Sequence, residues 1–188
     1  SSKILHLAQG FSLIEFMITL SVVAILLFTA LPSFQYWRAK TESQLIAYTL
    51  HNQLQTARQL ALAKGASVSM CGSNALGECK LKNFDHLQIF IDGNKNKKHD
   101  KNETLISTTP LKMAGQLRLN NHTSLIFKSN GRSSTPASFI YCPAHRAEQL
   151  IQRITLSFTG RPYIGQKNTK GVVKNAGGNA ISCSNWQD

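Results

Sequence analysis

The stretch Gly10-Phe11-Ser12-Leu13-Ile14-Glu15, continuing as FMITLSVVAILLFTAL to Leu31, carries a single charge, Glu15, between Phe11 and Leu31. At helical rise its 21 apolar-rich residues span about 31 Å, roughly one hydrocarbon core. One membrane helix over residues 11–33 is expected. A carboxylate inside such a segment is costly when unpaired, so Glu15 is expected to have a partner or a function.

Outward from this stretch, the order of features is the reverse of a secretory signal. A short polar leader, SSKILHLAQG, comes first and ends in Gly10, whereas a signal peptide places its cleavage site after the apolar stretch. A cut after Gly10 would expose Phe11 and leave the helix attached. Glycine, aromatic and glutamate at this spacing, followed by an unbroken apolar run and Pro32, resemble the prepilin cleavage and methylation motif of type IV pilins and of type II secretion pseudopilins. The resemblance implies cleavage after Gly10 by a prepilin peptidase, N-methylation of Phe11, and use of Glu15 in assembly to neutralise the N-terminal amine of a neighbouring subunit. It also implies a kink or melted segment at Pro32. The implied place is the inner membrane, single-pass, with the globular part in the periplasm and then on a surface pilus.

Past Pro32, apolar residues recur at Phe34, Trp37, Leu45/Ile46, Leu50, Leu54, Ala57 and Ala61, with polar residues between them. Spacings of three and four predict that residues 34–64 form the amphipathic half of the same helix, stopped by Gly65. From there the period changes. Expected strands are Ser67–Cys71, Leu87–Ile91, Thr104–Ser107, Gln116–Leu119, Ser124–Lys128, Ala137–Cys142 and Arg153–Phe158. One long helix followed by many short strands predicts an α+β fold, with an antiparallel sheet of the 65–188 domain packed on the helix. The runs Val68–Cys71, Leu87–Asp92 and Ile154–Arg161 are similar to the GspH/FimT class of minor pilins, which implies a pilin fold and major and minor pilins as partners.

Composition fits one such domain. Lys plus Arg number 21 against 9 Asp plus Glu, for a net charge of +12 over 188 residues with 42% apolar content. That is too apolar for a disordered basic tail and too polar for a polytopic membrane protein. Between Thr104 and Gln187 lie ten bases and one acid, Glu148, a positive field suited to polyanions.

The tail from Gly160 to Asn179 is rich in Gly, Asn and Lys and is expected to be a mobile basic loop. Arg161, Lys167, Lys170 and Lys174 would release counterions from a phosphate backbone, and Tyr163 could stack on an unpaired base. In FimT-type pilins the C-terminal region binds DNA through a Gly-Arg-x-Arg motif. Gly160 and Arg161 match it, while Tyr163 stands at the second arginine. The resemblance therefore implies sequence-independent DNA binding for uptake in natural transformation. The alternative is an architectural pilin or a secretion pseudopilin with protein contacts only. Arg132, in Asn130-Gly131-Arg132, reads as a turn residue.

Four cysteines allow three pairings. Proximity favours Cys71–Cys79, leaving Cys142–Cys183, in an oxidising compartment. The loop Asp92–Glu103 places oxygen side chains at positions 1, 3, 5, 9 and 12, an EF-hand spacing. Lys97 stands where that loop's sharp turn needs glycine, and four lysines oppose a divalent cation, so no metal and no cofactor are expected. No GxSxG, HExxH, P-loop or dinucleotide fingerprint occurs, and the six histidines are scattered, so an enzyme is not expected.

Overall fold

A computed structural model of the protein describes residues 12–82, 84–120, 122–134, 136–144, 147–175 and 177–183, without the side chains of residues 29, 30 and 32. Gly10 and Phe11, expected at the cleavage and methylation site, lie outside the described residues, as do His145, Arg146 and the side chain of Pro32. The chain divides into two compact units, residues 1–38 and 39–188.

The first unit is helical throughout its described part. Helix α1 runs from Leu13 to Lys64 and is continuous through position 32, where the resemblance implies a kink or melted segment. Ser12 begins it: its Oγ accepts the Glu15 N–H at 3.3 Å, the N-capping contact in a Ser-x-x-Glu sequence that has capping-box spacing. The apolar side chains from Leu13 to Phe28 are largely exposed within the molecule. Thr19 and Ser21 donate their hydroxyls to the carbonyls of Phe16 and Met17, which satisfies them inside the helix as an apolar surround requires. This helix is long and apolar enough to cross a membrane.

In the second unit the helix acquires a buried face. Ile46, Ala47, Leu50, Leu54, Ala57 and Ala61 are each 2% exposed or less, while Leu45 is outside, so the stripe follows Ile46. Phe34, Tyr36 and Trp37 are exposed, and continuous burial begins near Ser43 rather than at residue 34. Gly65 ends the helix at φ 60°, the left-handed C′ position that glycine takes without penalty.

The strands form two antiparallel sheets rather than one. In the first, β1 (Val68–Ser73) is central. One edge pairs with β3 (His86–Ile91), which pairs in turn with β4 (Leu105–Pro110). The other edge is shared by β2 (Cys79–Lys80) and β6 (Ser124–Phe127). With neighbours on both edges, β1 is buried at all six positions. The second sheet has the order β5 (Gln116–Leu119), β7 (Ala137–Cys142), β8 (Gln152–Leu156), β9 (Pro162–Ile164). A short 3₁₀ helix, Glu148–Leu150, precedes β8. All seven expected strands occur within a few residues of their expected bounds; β2, β9 and the 3₁₀ turn are additional.

The main core joins α1 to both sheets through Leu50, Leu54, Met70, Leu125, Phe139 and Ile154 among others. Phe84 meets Phe139 edge-on with centroids 6.4 Å apart. A polar tie supplements it. Glu42 on α1 accepts N–H groups of Ala114 (2.7 Å) and Gly115 (3.2 Å) and the hydroxyl of Tyr141. A second, smaller core lies on the other face of β7, where Cys142, Ile151, Val173, Ile181 and Cys183 pack with Ile140.

Candidate nucleic-acid interface

Strand register decides which tail residues face outward. Thr155 pairs with Tyr163, Ser138 with Thr155, and Ile140 with Arg153, so alternation puts Tyr163, Arg153 and Ile140 on one face. The opposite face carries Phe139, Ile154 and Ile164, which belong to or pack on the main core. Tyr163 is accordingly 51% exposed.

Beyond β9 the tail folds into turns. Two tight turns follow one another. Asn168 N–H donates to the Val172 carbonyl (2.9 Å) and Gly171 N–H to the Asn168 carbonyl (2.8 Å); Asn175 repeats the pattern with Asn179 (2.8 Å) and Gly178 (3.2 Å). In each, the asparagine Oδ1 also accepts the N–H four residues on. Between them Val173 is buried, and the Cys142–Cys183 disulfide fastens the chain end to β7. The other disulfide, Cys71–Cys79, ties β1 to β2. Arg153 strengthens the tail's attachment, its Nη1 donating to the Lys174 carbonyl at 2.8 Å.

The same five-residue turn recurs at Asn74–Glu78, Lys128–Arg132 and Ser157–Arg161, giving five copies among the described residues, each closed by the same two backbone hydrogen bonds. Each has glycine at its fourth position with φ between 72° and 82°. This is a type I turn followed by a left-handed residue, a form that joins antiparallel chain segments. Asn-x-x-Gly or Ser-x-x-Gly is the signal that marks four of them in the sequence.

Two of these turns are stacked. A Cβ on Gly160 would lie 1.9 Å from the Gly131 carbonyl oxygen, and that oxygen accepts Arg58 Nε–H at 3.1 Å. Ser133 N–H reaches the Phe158 carbonyl at 3.2 Å. Arg132 and Arg161, each following its turn's glycine, are therefore neighbouring exposed cations. Arg132 is a turn residue as expected, and its turn adjoins the Gly160–Arg161 pair.

Lys167 lies elsewhere. Its Nζ donates to the Gln149 carbonyl; burial, then the nearby Lys40 ammonium, holds its pKa below the ordinary lysine value. Arg161 and Lys167 flank β9 on either side, with Tyr163 between them; Lys170 is exposed on the first tail turn and Lys174 between the two turns. The structure draws these residues into a strip, not a cluster.

The Asp92–Glu103 loop forms its sharp turn with lysine. Lys95 and Lys97 have φ of 61° and 68°. Buried Asp92 accepts the N–H groups of Asn96 and Lys97 (both 3.1 Å) and the Ser69 hydroxyl (2.6 Å). Asp100 accepts from the amides of Asn94 and Asn96, which hold its carboxyl below the ordinary aspartate value. The loop's carboxylates are thus engaged internally. No group of three or more metal-ligating His, Cys, Asp or Glu side chains occurs among the described residues.

Comparison with known proteins agrees with this architecture. A family model described as type II transport protein GspH matches residues 47–160, and one described as the prokaryotic N-terminal methylation motif matches residues 5–31. No curated protein matches the chain significantly. The type IV minor pilin FimU of Pseudomonas aeruginosa is similar in fold, with TM-score 0.52 and 18% identity over 67% of this chain and 90% of that one. The minor pseudopilin EpsH of the Vibrio cholerae type 2 secretion system aligns with TM-score 0.47 and 16% identity over 65% of this chain and 95% of that one. The methylation motif, the long apolar helix and the sheets packed on its second half join the family match in one conclusion: the chain belongs to the GspH family of type II transport proteins.

Proposed function

We propose that this protein is a minor type IV pilin that assembles into or tips a pilus and binds duplex DNA without sequence readout, serving DNA uptake in natural transformation. The observation that carries the reading is the charge beyond Thr104, ten bases to one acid. Arg161, Lys170 and Lys174 are each exposed. Cations in a row neutralise successive phosphates and release their counterions, which favours DNA of any sequence. Tyr163 offers a stacking face where the strands are separated. In this reading Gly10 is the prepilin peptidase cleavage position, Phe11 the methylated N-terminus, and Glu15 the assembly carboxylate. The domain faces the periplasm before assembly and the cell surface after it.

The test is charge reversal in the full chain held in an uncharged detergent. R161E/K170E/K174E is expected to abolish the shift of duplex DNA in a gel; an equal shift by wild type and variant would refute the strip. A second reading, a secretion pseudopilin with protein contacts only, is favoured by the type II transport description of the matched family. Gene deletion separates the two: lost transformation with secretion and pili intact supports DNA binding, and lost secretion supports the pseudopilin.

A further inference from the structure

Next to the Arg132–Arg161 turn pair lies a cavity of about 460 Å³ whose lining includes Lys95, Lys97, Lys128, Ser67, Ser129 and Asn130. It opens between the β3–β4 loop and the Lys128–Arg132 turn. Its lining residues include three lysines, three serines and an asparagine, and no acid. Among the described residues no carboxylate pairs with any of the three lysines. Three cations lining one cavity with no paired carboxylate form a site that an anion would neutralise.

The backbone beneath them is built to hold this arrangement. Lysine at positive φ is held in a conformation that L side chains disfavour, and the loop does this at both Lys95 and Lys97. Lys97 is clamped from two sides: its N–H is held by Asp92 (3.1 Å), and its carbonyl accepts the Ser124 hydroxyl (2.9 Å). Lys128 opens the turn whose glycine carbonyl touches Gly160 and Arg58. The cavity and the Gly160–Arg161 turn therefore share one wall.

We infer that this three-lysine cavity is a second phosphate-binding site for the DNA that the tail strip holds, with Arg132 bridging cavity and strip. The inference rests on the DNA-binding reading above. It extends the contact from the tail to the β3–β4 loop and makes Lys95, Lys97 and Lys128 part of the site. A duplex carries about one negative charge per 1.7 Å of axis, so cavity and strip together meet several phosphates along one course.

The experiment follows binding of a fluorescent random-sequence duplex to the full chain in uncharged detergent across a salt series. The variant K95N/K97N/K128Q removes the charges, and asparagine is tolerated at positive φ. The expected result is affinity at least tenfold weaker at low salt and a log–log salt slope shallower by about 2–3, near 0.9 per lost phosphate contact. K95R/K97R/K128R is expected to restore both. An unchanged slope in the asparagine variant, while R161E/K170E/K174E loses binding, overturns the cavity site and leaves the proposed function standing. Failure of the arginine variant to restore the slope also overturns it. Wild type that binds no DNA at low salt overturns both readings. Should the triple variant not fold, K128Q alone, on an exposed turn, is expected to reduce the slope by about 1, and an unchanged slope there counts against the site equally.

Discussion

Gly160 and Arg161 stand together in the implied Gly-Arg-x-Arg match, yet their physical roles differ. Gly160 is buried at φ 75°, with the Gly131 carbonyl where a side chain would be; Arg161 is an exposed cation. Gly160→Ala would combine the left-handed penalty with a backbone clash, a loss of about 2–5 kcal/mol. R161A should leave stability within about 0.5 kcal/mol while weakening DNA binding. Denaturant unfolding of the two variants checks this; equal stability for wild type and Gly160→Ala would contradict the stacked turns. Lys97 shows where sequence reasoning reaches its limit. Glycine is the usual solution for that turn, so lysine there argued against it, but the Asp92 carboxylate and Ser124 hydroxyl supply enough local bonding to hold lysine in place.

Among the elements, the tie between α1 and the second sheet has a pH signature. The Tyr141 hydroxyl donates to Glu42, and burial, followed by the hydrogen bond and charge of Glu42, raises its pKa above the ordinary 10.0. A folded pKa above the unfolded one gives stability that is fully present below about pH 10 and is lost as pH rises through the folded value. Tyr141→Phe should therefore cost about 1–3 kcal/mol at neutral pH, and the difference from wild type should shrink progressively above pH 10. Thermal melts of both proteins from pH 7 to 11 measure it; a constant difference would contradict the assignment. Long elements were legible because their periodicity records a buried face: the stripe Ile46, Leu50, Leu54, Ala57, Ala61 is the core face of α1. Strands β2 and β9 were not, since two or three residues carry no period and exist through pairing with β1 and β8. Division into two sheets was likewise hidden, because alternation shows which face is buried and not which strand lies alongside.

For the whole molecule, the net charge of +12 resolves into places. The tail strip runs from Arg161 past Tyr163 toward Lys167; Arg132, Arg58 and Lys128 lie around the Gly131–Gly160 contact, and Lys95 and Lys97 line the cavity with Lys128. The tail cations of the proposed site stood out in the sequence because Arg161, Lys167, Lys170 and Lys174 fall within one short acid-free segment. Arg132, Lys128, Lys95 and Lys97 were not, since turns distant in sequence meet only in the fold. The central claim is that this assembled surface binds DNA through its phosphates. Its most direct test is a salt titration of the full chain in uncharged detergent against two duplexes of unrelated sequence. Equal affinity for both is predicted, falling linearly in log–log form with a slope of about −5 to −6 for the three strip cations, the three cavity lysines and Arg132. Absence of binding at low salt, preference for one duplex, or affinity insensitive to salt would contradict it.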